Sequence, residues 1–212
     1  MSARVYVEGG GRGRALKAKC REAFKVFFEA AGLEGRLPRV VPGGGRRETY
    51  DDFCTALNAT RDDAFLVLLV DSEGPVAEGA DPWTHLRNRQ GDGWDRPEGA
   101  TDEQAHLMVQ CMESWFLADP ESLAGIFGNG FRPNALPRRA EIERIAKQDI
   151  FAGLDNATRD CGRRRGYRKG RDSFDVVAAL DPARVTAASP HAKRLVDVLT
   201  ARLRPAGAPQ TR

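Results

Sequence analysis

Three acidic residues lie where two apolar, strand-like segments end. Glu8 ends the segment 4–8, and Asp71 follows the segment 65–70 with Glu73 two positions further on. Because ligands of an open parallel sheet bind at the carboxyl ends of its strands, we expect these acids to meet if the two strands are neighbours. Clustered carboxylates repel each other unless a cation lies among them, and carboxylate oxygens suit Mg²⁺ or Mn²⁺. The spacing therefore predicts a divalent-metal site formed by Glu8, Asp71 and Glu73.

The same acids also have a simpler interpretation, as solvated loop residues or helix caps. The side chains of Asp71 and Glu73 point the same way if the strand continues past Asp71, because side chains alternate along a strand. Glu113, where a predicted strand gives way to a predicted helix, is a fourth candidate ligand. An acid at a helix N-terminus is also favoured by the helix dipole alone, so both interpretations of Glu113 stay open.

The elements that position these acids alternate between strand and helix. Runs of apolar and β-branched residues predict four strands, at 4–8, 36–41, 65–70 and 105–112. Helical periodicity predicts three helices, at 14–31, 46–58 and 113–127. The uninterrupted apolar run 65–70 is typical of a central parallel strand that is buried on both faces. This order predicts an α/β fold in which helices flank a mostly parallel, Rossmann-like sheet.

We predict a core at 1–128 and a helical C-terminal extension at 129–212, which packs on the core within one compact domain. The extension contains three predicted helices, at 140–158, 172–180 and 190–203. Between the third and fourth strands lies the stretch 74–104, which is rich in Gly, Pro and Asp and which we expect to be irregular. Its two tryptophans, Trp83 and Trp94, indicate that it packs against the rest of the protein.

Composition argues against several classes of protein. The chain has 212 residues, 41% of them hydrophobic, and a net charge of +3, which is ordinary for a globular protein. Its three histidines show no H-x-x-H spacing and its four cysteines no C-x-x-C spacing, so a zinc site is not expected. No Gly-x-Ser-x-Gly motif surrounds Ser72, which argues against a serine hydrolase. With no signal peptide and no apolar run of about 20 residues, we expect a cytoplasmic protein without a membrane span.

Arginines follow glycine-rich loops after the first and second predicted strands. Gly9–Gly11 precede Arg12 and Arg14, and Gly43–Gly45 precede Arg46, each time just before a predicted helix. Exposed amides at a helix N-terminus and nearby arginines bind phosphate groups. We therefore predict that these three arginines bind phosphate, although a flexible turn explains the glycines equally well.

The densest basic run is 163–171, in which six of nine residues are Lys or Arg. Such runs neutralise the phosphates of nucleic acids, and the interleaved Tyr167 could stack on a base. Most charge runs are simply solvated, and that interpretation stays open. We predict nucleic-acid binding, to DNA or RNA, by four residues of this run: Arg165, Arg168, Lys169 and Arg171. Lys169 is the candidate for contacting the scissile phosphate.

Several of these segments resemble a known group of bacterial proteins. Val7-Glu8-Gly9 and Val70-Asp71-Ser72-Glu73 resemble the signature of the Toprim domain, a Glu-Gly after the first strand and an Asp-x-Asp after a later one. Over nearly its whole length the chain resembles a Toprim-like family described as domain of unknown function 4276. The segments that carry this resemblance are 6–10, 68–73, 106–110, 112–119 and 169–174.

The resemblance implies a Toprim-like core that binds Mg²⁺, and it adds Glu113 to the ligands on the pattern of Toprim nucleases of the overcoming-lysogenization-defect type. It also implies an association with an ATPase in phage defence or DNA maintenance. Two departures from the Toprim pattern bear on metal affinity. Glu73 stands where a second Asp is expected, and the segment 10–14 lacks the Asp expected shortly after Glu-Gly.

Three functions are compatible with these residues. The first is a metal-dependent nuclease in which Glu8, Asp71 and Glu73 bind the metal, Lys169 binds phosphate, and Glu8 alternatively acts as a general acid or base. The second is a non-catalytic binding or regulatory subunit of an ATPase complex, with the stretch 74–104 as its docking element. The third is a phosphatase or phosphotransfer enzyme acting on a small nucleotide, which leaves the basic run unexplained.

Overall fold

Four parallel strands form the sheet in the computed structural model, which describes residues 2–59, 64–139, 141–162 and 164–203. In the spatial order β2-β1-β3-β4, the strands are β1 (Ala3–Gly10), β2 (Arg39–Gly44), β3 (Phe65–Asp71) and β4 (Ala105–Met108). Every pair of neighbouring strands is parallel. Helices α1 (Arg14–Phe28) and α2 (Arg46–Ala59) connect the first three strands. The predicted fold class, a Rossmann-like parallel sheet flanked by helices, is confirmed.

The strand order places a topological switch point between β1 and β3. The chain leaves β1 towards β2 on one side, and β3 pairs with β1 on the other side. The two strands pair from Ala3 opposite Phe65 to Val7 opposite Leu69. Their carboxyl ends are therefore level, and the crevice outside them is where such sheets bind ligands. The first and third strands are thus neighbours, which is the condition under which the strand-end acids are expected to meet.

Side chains of the central strands alternate between the two faces of the sheet, and both faces are buried. The cluster on the face covered by α1 includes Val5, Val7, Val67, Leu69 and Phe24. The cluster on the face covered by α2 includes Tyr6, Leu66, Leu68, Val70 and Phe53. Burial on both faces explains why the run 65–70 contains no polar residue, because a polar side chain on either face would lose its hydrogen bonds to water.

The stretch 74–104 is more ordered than we expected. It contains a helix, α3 (Pro82–Asn88), whose first turn is capped by the side chain of Asp81. A proline at the first helical position needs no amide partner, so the Asp-Pro pair is a local start signal that periodicity alone does not reveal. The predicted packing of the two tryptophans is confirmed, because Trp83 and Trp94 are both buried in the cluster beneath α2.

The predicted continuous helix 113–127 is wrong. A 3₁₀-helix, Met112–Ala118, comes first, and α4 (Pro120–Phe127) follows it. The two meet at Asp119, whose carboxylate accepts a hydrogen bond from the Ser122 amide at 3.3 Å and so caps α4. Pro120 has no amide hydrogen with which to continue the preceding turn, which is the physical reason for the break.

Two predicted strands end elsewhere. The predicted strand 105–112 stops at Met108, because Met108 lies opposite Asp71, the last residue of its partner β3. The predicted strand 36–41 begins and ends three residues later, and its end at Gly44 pairs with the bulged end of β1.

Four α-helices follow in the part of the C-terminal extension that the structure describes. They are α5 (Lys147–Thr158), α6 (Ser173–Ala179), α7 (Pro182–Ala188) and α8 (Pro190–Arg202). The predicted helix 140–158 is longer than α5, which begins only at Lys147. No predicted helix corresponds to α7. Buried side chains of these helices join the apolar cluster beneath α1: Leu154, Val176, Val185 and Leu199. Residues 204–212 of the predicted extension lie outside the described residues. In the ranges described, none of the helices has the length and apolarity that a membrane span requires.

Candidate metal centre

The carboxyl edge of the sheet brings three acids together. One carboxylate oxygen from each of Glu8, Asp71 and Glu73 lies within 4.8 Å of the other two. Glu8 is near the end of β1 and Asp71 is the last residue of β3, so the predicted meeting of the two strand ends occurs. The geometry at Glu73 differs from the expected continuation of the strand.

Glu73 lies beyond the strand in a left-handed backbone conformation, with φ of 63°. Residues other than glycine adopt this region at a cost of about 1–3 kcal/mol, and such residues concentrate at functional sites. The amide of Glu73 donates to the main-chain oxygen of Gln110 at 2.8 Å, which anchors this turn to the segment after β4. A left-handed turn, rather than a continued strand, therefore brings the third acid to the site.

Glycines allow the loops of β1 and β2 to approach each other beside the acids. At Gly44, with φ of 98°, a Cβ atom would lie 2.8 Å from the main-chain oxygen of Gly11. At Gly10, with φ of 85°, a Cβ atom would lie 3.0 Å from Cα of Lys17. Any larger residue would push these loops apart, so the glycines serve close backbone packing at the mouth of the site.

Hydrogen bonds fix one oxygen of each strand-end acid. Glu8 Oε2 accepts from Nη1 of Arg46 at 3.1 Å and from the amide of Asp71 at 3.2 Å. Asp71 Oδ1 accepts from the amide of Met112 at 2.8 Å. The orientation of both carboxylates is therefore set by protein donors, as is typical of the groups around metal ligands.

The same arrangement recurs at the other two acids. Glu73 Oε2 accepts from Nζ of Lys147 at 2.5 Å. Glu113 Oε1 accepts from the hydroxyl of Tyr167 at 2.9 Å, and that hydroxyl also lies 2.6 Å from Oγ of Ser173. Each acid again has one oxygen engaged by a donor from the C-terminal part of the chain.

The second oxygen of each acid accepts no hydrogen bond from the described part of the chain: Glu8 Oε1, Asp71 Oδ2, Glu73 Oε1 and Glu113 Oε2. Glu113 is fully buried, and its Oε2 is a buried oxygen without a hydrogen-bond partner in the described chain. Within the described residues, the Lys169 ammonium approaches two of these oxygens, at 3.8 Å from Asp71 Oδ2 and 3.9 Å from Glu113 Oε2. A buried carboxylate oxygen without a donor is costly unless a cation satisfies it.

The charged forms of Asp71 and Glu8 are disfavoured by their surroundings, whereas that of Glu73 is favoured. Burial, and then the neighbouring Glu8 and Glu113 carboxylates, raise the pKa of Asp71 well above its ordinary value. Burial also raises the pKa of Glu8, although Arg46 opposes this. At Glu73 burial is outweighed by the hydrogen bond from Lys147, and the pKa is lowered.

The donor set fits a hard divalent cation. The candidate ligands are carboxylate oxygens alone, which suit Mg²⁺ or Mn²⁺ rather than a metal that prefers nitrogen and sulfur. Within the described residues, Glu8, Asp71 and Glu73 meet the geometric requirement for a shared ion, and the partnerless oxygen of Glu113 is consistent with a further ligand. The acid cluster can therefore hold a metal ion.

A cleft of about 240 Å³ opens onto the acids. The residues that line it include Glu8, Asp71, Gly10, Gly44 and Lys169. A second groove, of about 380 Å³, runs along Glu73 towards α3. The acid cluster is thus reachable from solvent from two directions.

The predicted phosphate-binding residues fall into two groups. Lys169 lies at the acid cluster, and four exposed arginines make no ion pair with the described part of the chain: Arg12, Arg14, Arg165 and Arg168. Arg171 is engaged elsewhere, since its guanidinium binds the Asp172 carboxylate at 2.6 and 2.8 Å. Arg163, the first residue of the basic run, lies outside the described residues.

Two sequence-based interpretations need correction. Tyr167 is not a free platform for a base, because its hydroxyl is bound at Glu113 and its ring packs edge-on against Phe116. Arg46 does not face an open phosphate site, because its guanidinium binds Asp92 and Glu8. In both cases a long-range polar partner, invisible in the local sequence, takes the side chain into the protein.

Sequence reasoning missed two residues that contact the acids or their partners, Lys147 and Asp92. Lys147 was placed inside a longer helix, and no local pattern links it to Glu73. Asp92 lies in the stretch 74–104, where the many charged residues gave no reason to select one. A single chain offers no signal for such pairs, since they join segments far apart in sequence.

Comparison with known proteins gives one finding. No curated protein and no solved structure gives a significant match to this chain. Residues 7–200 match the family described as Domain of unknown function (DUF4276), and this match covers nearly all of the chain. The resemblance found in the sequence to that family is therefore confirmed. This chain belongs to the DUF4276 family.

Proposed function

We propose that this protein is a nuclease that uses Mg²⁺ or Mn²⁺ to hydrolyse phosphodiester bonds in DNA or RNA. The observation that carries the proposal is the common state of four carboxylates at one sheet edge. Each has one oxygen fixed by a protein donor and one oxygen without a hydrogen-bond donor in the described chain. Ligands oriented in this way are ready to bind a cation without rearrangement.

Glu8, Asp71 and Glu73, with Glu113, would hold the cation. A bound divalent ion lowers the pKa of water and stabilises the charge on a phosphodiester. Lys169 is 55% exposed and adjoins two of the acids, so its ammonium can neutralise a phosphate oxygen that enters the cleft. Lys169 stays positively charged. Burial lowers its pKa, but the Glu113 and Asp71 carboxylates outweigh burial, so the pKa of Lys169 is raised.

The exposed arginines favour a nucleic acid over a small nucleotide. Arg14 begins α1 and Arg12 lies two residues before it, and Arg165 and Arg168 lie in the basic run that leads to Lys169. Such unpaired cations, which are close in sequence to residues that line the cleft, are suited to neighbouring phosphates of a polymer. The resemblance to Toprim nucleases supports the same reaction and a role with an ATPase partner in phage defence or DNA maintenance.

The test is cleavage of plasmid, single-stranded DNA and total tRNA by the purified full chain with Mg²⁺, Mn²⁺ or EDTA. Glu8→Gln and Asp71→Asn should each lower the rate by about 100-fold or more, because the lost ion supplies several kcal/mol of charge stabilisation. Asp51→Asn is the matched control, since Asp51 is an exposed acid on α2 that pairs with Arg47. Cleavage that resists EDTA, or that survives Asp71→Asn, would contradict the proposal.

One observation favours a non-catalytic subunit as the second candidate. Each of the three clustered acids already has a basic partner in the chain, Arg46 for Glu8, Lys169 for Asp71 and Lys147 for Glu73. These pairs could hold the site together without an ion. Absence of Mn²⁺ binding in a calorimetric titration of the folded wild-type protein would favour this candidate over the nuclease.

A further inference from the structure

The guanidinium of Arg46 is used almost entirely inside the protein. Its Nε donates to both oxygens of Asp92, at 2.9 and 3.2 Å, and its Nη2 donates to Asp92 Oδ2 at 2.5 Å. Its Nη1 donates to Glu8 Oε2 at 3.1 Å and to the main-chain oxygen of Asp71. One side chain thus joins Asp92 to two elements of the acid cluster.

Residues of the stretch 74–104 hold the Asp92–Arg46 pair in place. The side chain of Asp92 is only 3% exposed and that of Arg46 14%, and Nη1 of Arg89 donates to Asp92 at 2.9 Å. The guanidinium lies 5.1 Å from the ring centre of Trp94, which stacks on Tyr50 at 4.2 Å. A charged pair that is buried, bidentate and stacked has little freedom to reorient.

The connection determines which oxygen of Glu8 stays available. Oε2 already accepts from Arg46 and from the Asp71 amide, whereas Oε1 accepts nothing from the described chain. The two bonds also fix the plane of the carboxylate. A cation at the cluster would therefore meet Glu8 through Oε1, in an orientation that Arg46 sets.

We propose that Asp92 and Arg46 are positioning residues that orient Glu8 for metal binding, with Asp92 acting through Arg46. This inference rests on the metal site of the proposed function. It gives the stretch 74–104 a part in the site, although none of its residues is among the candidate ligands. It also gives Arg46 a role other than phosphate binding.

The measurement is a calorimetric titration of metal-free protein with Mn²⁺. Asp92→Asn and Arg46→Met should each weaken Mn²⁺ binding by about 10- to 100-fold, the range found when partners of metal ligands are replaced. Arg46→Lys should lie between wild type and Arg46→Met, because it keeps the charge but loses the bidentate bond. Arg47→Met and Asp51→Asn, an exposed pair on the same helix, are matched controls that should stay within about twofold of wild type.

A double variant tests whether Asp92 acts through Arg46. If Asp92 acts through Arg46, the double variant Asp92→Asn/Arg46→Met should lose no more Mn²⁺ affinity than Arg46→Met alone. In cleavage assays kcat should fall while KM for the nucleic acid stays unchanged, since Arg46 does not face the substrate. A merely structural role would lower the melting temperature and leave the Mn²⁺ affinity of the folded protein unchanged.

The outcomes separate this inference from the proposed function. Wild-type affinity in folded Asp92→Asn, or additive losses in the double variant, would overturn the inference and leave the nuclease proposal standing. Weakened Mn²⁺ binding in these variants, with no cleavage by the wild type, would support the inference and count against the nuclease. A wild-type protein that binds no Mn²⁺ would overturn both.

Discussion

Tyr167 donates its hydroxyl hydrogen to Oε1 of Glu113 at 2.9 Å, which joins the basic run to a fully buried carboxylate. Burial, and then the Glu113 carboxylate, raise the pKa of Tyr167 far above its usual range, so the hydroxyl stays protonated and remains a donor. Lys169, two residues further along, approaches the other oxygen of Glu113. The segment that carries the predicted nucleic-acid-binding residues is thereby fastened to the acid cluster.

Tyr167→Phe should therefore destabilise the protein. It keeps the ring and its packing but leaves Glu113 Oε1 with only a 3.5 Å contact to Ser173. Loss of a hydrogen bond to a buried charged group costs about 2 kcal/mol, which denaturant unfolding in EDTA would measure. Tyr50→Phe is the control, since the Tyr50 hydroxyl donates to a main-chain oxygen at an exposed position, and it should cost less than about 1 kcal/mol. Equal costs for the two would contradict the role given to Tyr167.

Asp71→Asn should stabilise the metal-free protein at neutral pH. Its raised pKa means that burial and the neighbouring acids disfavour the charged form, and asparagine removes that charge while keeping an oxygen for the Met112 amide. We expect the melting temperature in EDTA to rise by at least about 2 °C, the shift that about 1 kcal/mol produces in a domain of this size. Mn²⁺ should raise the melting temperature of the wild type and leave Asp71→Asn unchanged.

The stability difference between wild type and Asp71→Asn should depend on pH in a defined direction. A carboxyl with a raised pKa in the folded state binds its proton more readily there than in the unfolded chain, so its presence destabilises the protein as pH rises. The advantage of Asp71→Asn should therefore be absent below pH of about 4, grow as pH rises through the folded-state pKa of Asp71, and be complete above it. Melting curves of both proteins in EDTA between pH 4 and about 8 would test this. A difference in melting temperature that stays constant with pH would show that ionisation of Asp71 is not its cause.

The sequence was sufficient to predict the acids but not the groups that orient them. Glu8 and Asp71 follow apolar runs whose composition identifies buried strands, and the physics of parallel sheets places such strand ends together. The sequence also predicts Glu73 as a ligand, but it does not predict the left-handed backbone at Glu73, because glutamate has no intrinsic preference for that conformation.

The orienting groups depend on tertiary contacts that local patterns do not encode. Arg46 followed three glycines and so resembled a phosphate-binding loop, yet its partner Asp92 lies 46 residues away in an apparently irregular stretch. The break at Asp119 was different, since the Asp-Pro pair stands in the sequence and was outweighed by the apolar periodicity on either side of it. A local start signal such as Asp-Pro therefore outweighs continuous periodicity, whereas the ion pairs depend on the fold.

Gly44→Ala should destabilise the protein and disturb the site. A Cβ atom at Gly44 would lie 2.8 Å from a main-chain oxygen, and its φ of 98° is unfavourable for any residue with a side chain. We expect a cost of about 1–3 kcal/mol in denaturant unfolding, with weaker Mn²⁺ binding in the fraction that stays folded. Gly74→Ala is the control, because an added Cβ there meets nothing within 4 Å, and its cost should be below about 0.5 kcal/mol.

Arg165 and Arg168 should contribute to affinity for nucleic acid through charge alone. Both are exposed and make no ion pair with the described chain, so each can neutralise one backbone phosphate. The slope of log affinity against log salt concentration should fall by about 0.7 for each arginine replaced by alanine, as counterion release from single strands requires. Fluorescence anisotropy with a labelled single-stranded oligonucleotide in EDTA would measure it. Lys193→Ala, at an exposed lysine of α8 that pairs with Asp197, should leave the slope unchanged. An unchanged slope in Arg165→Ala/Arg168→Ala would mean that the basic run is a solvated surface and that the substrate is held elsewhere.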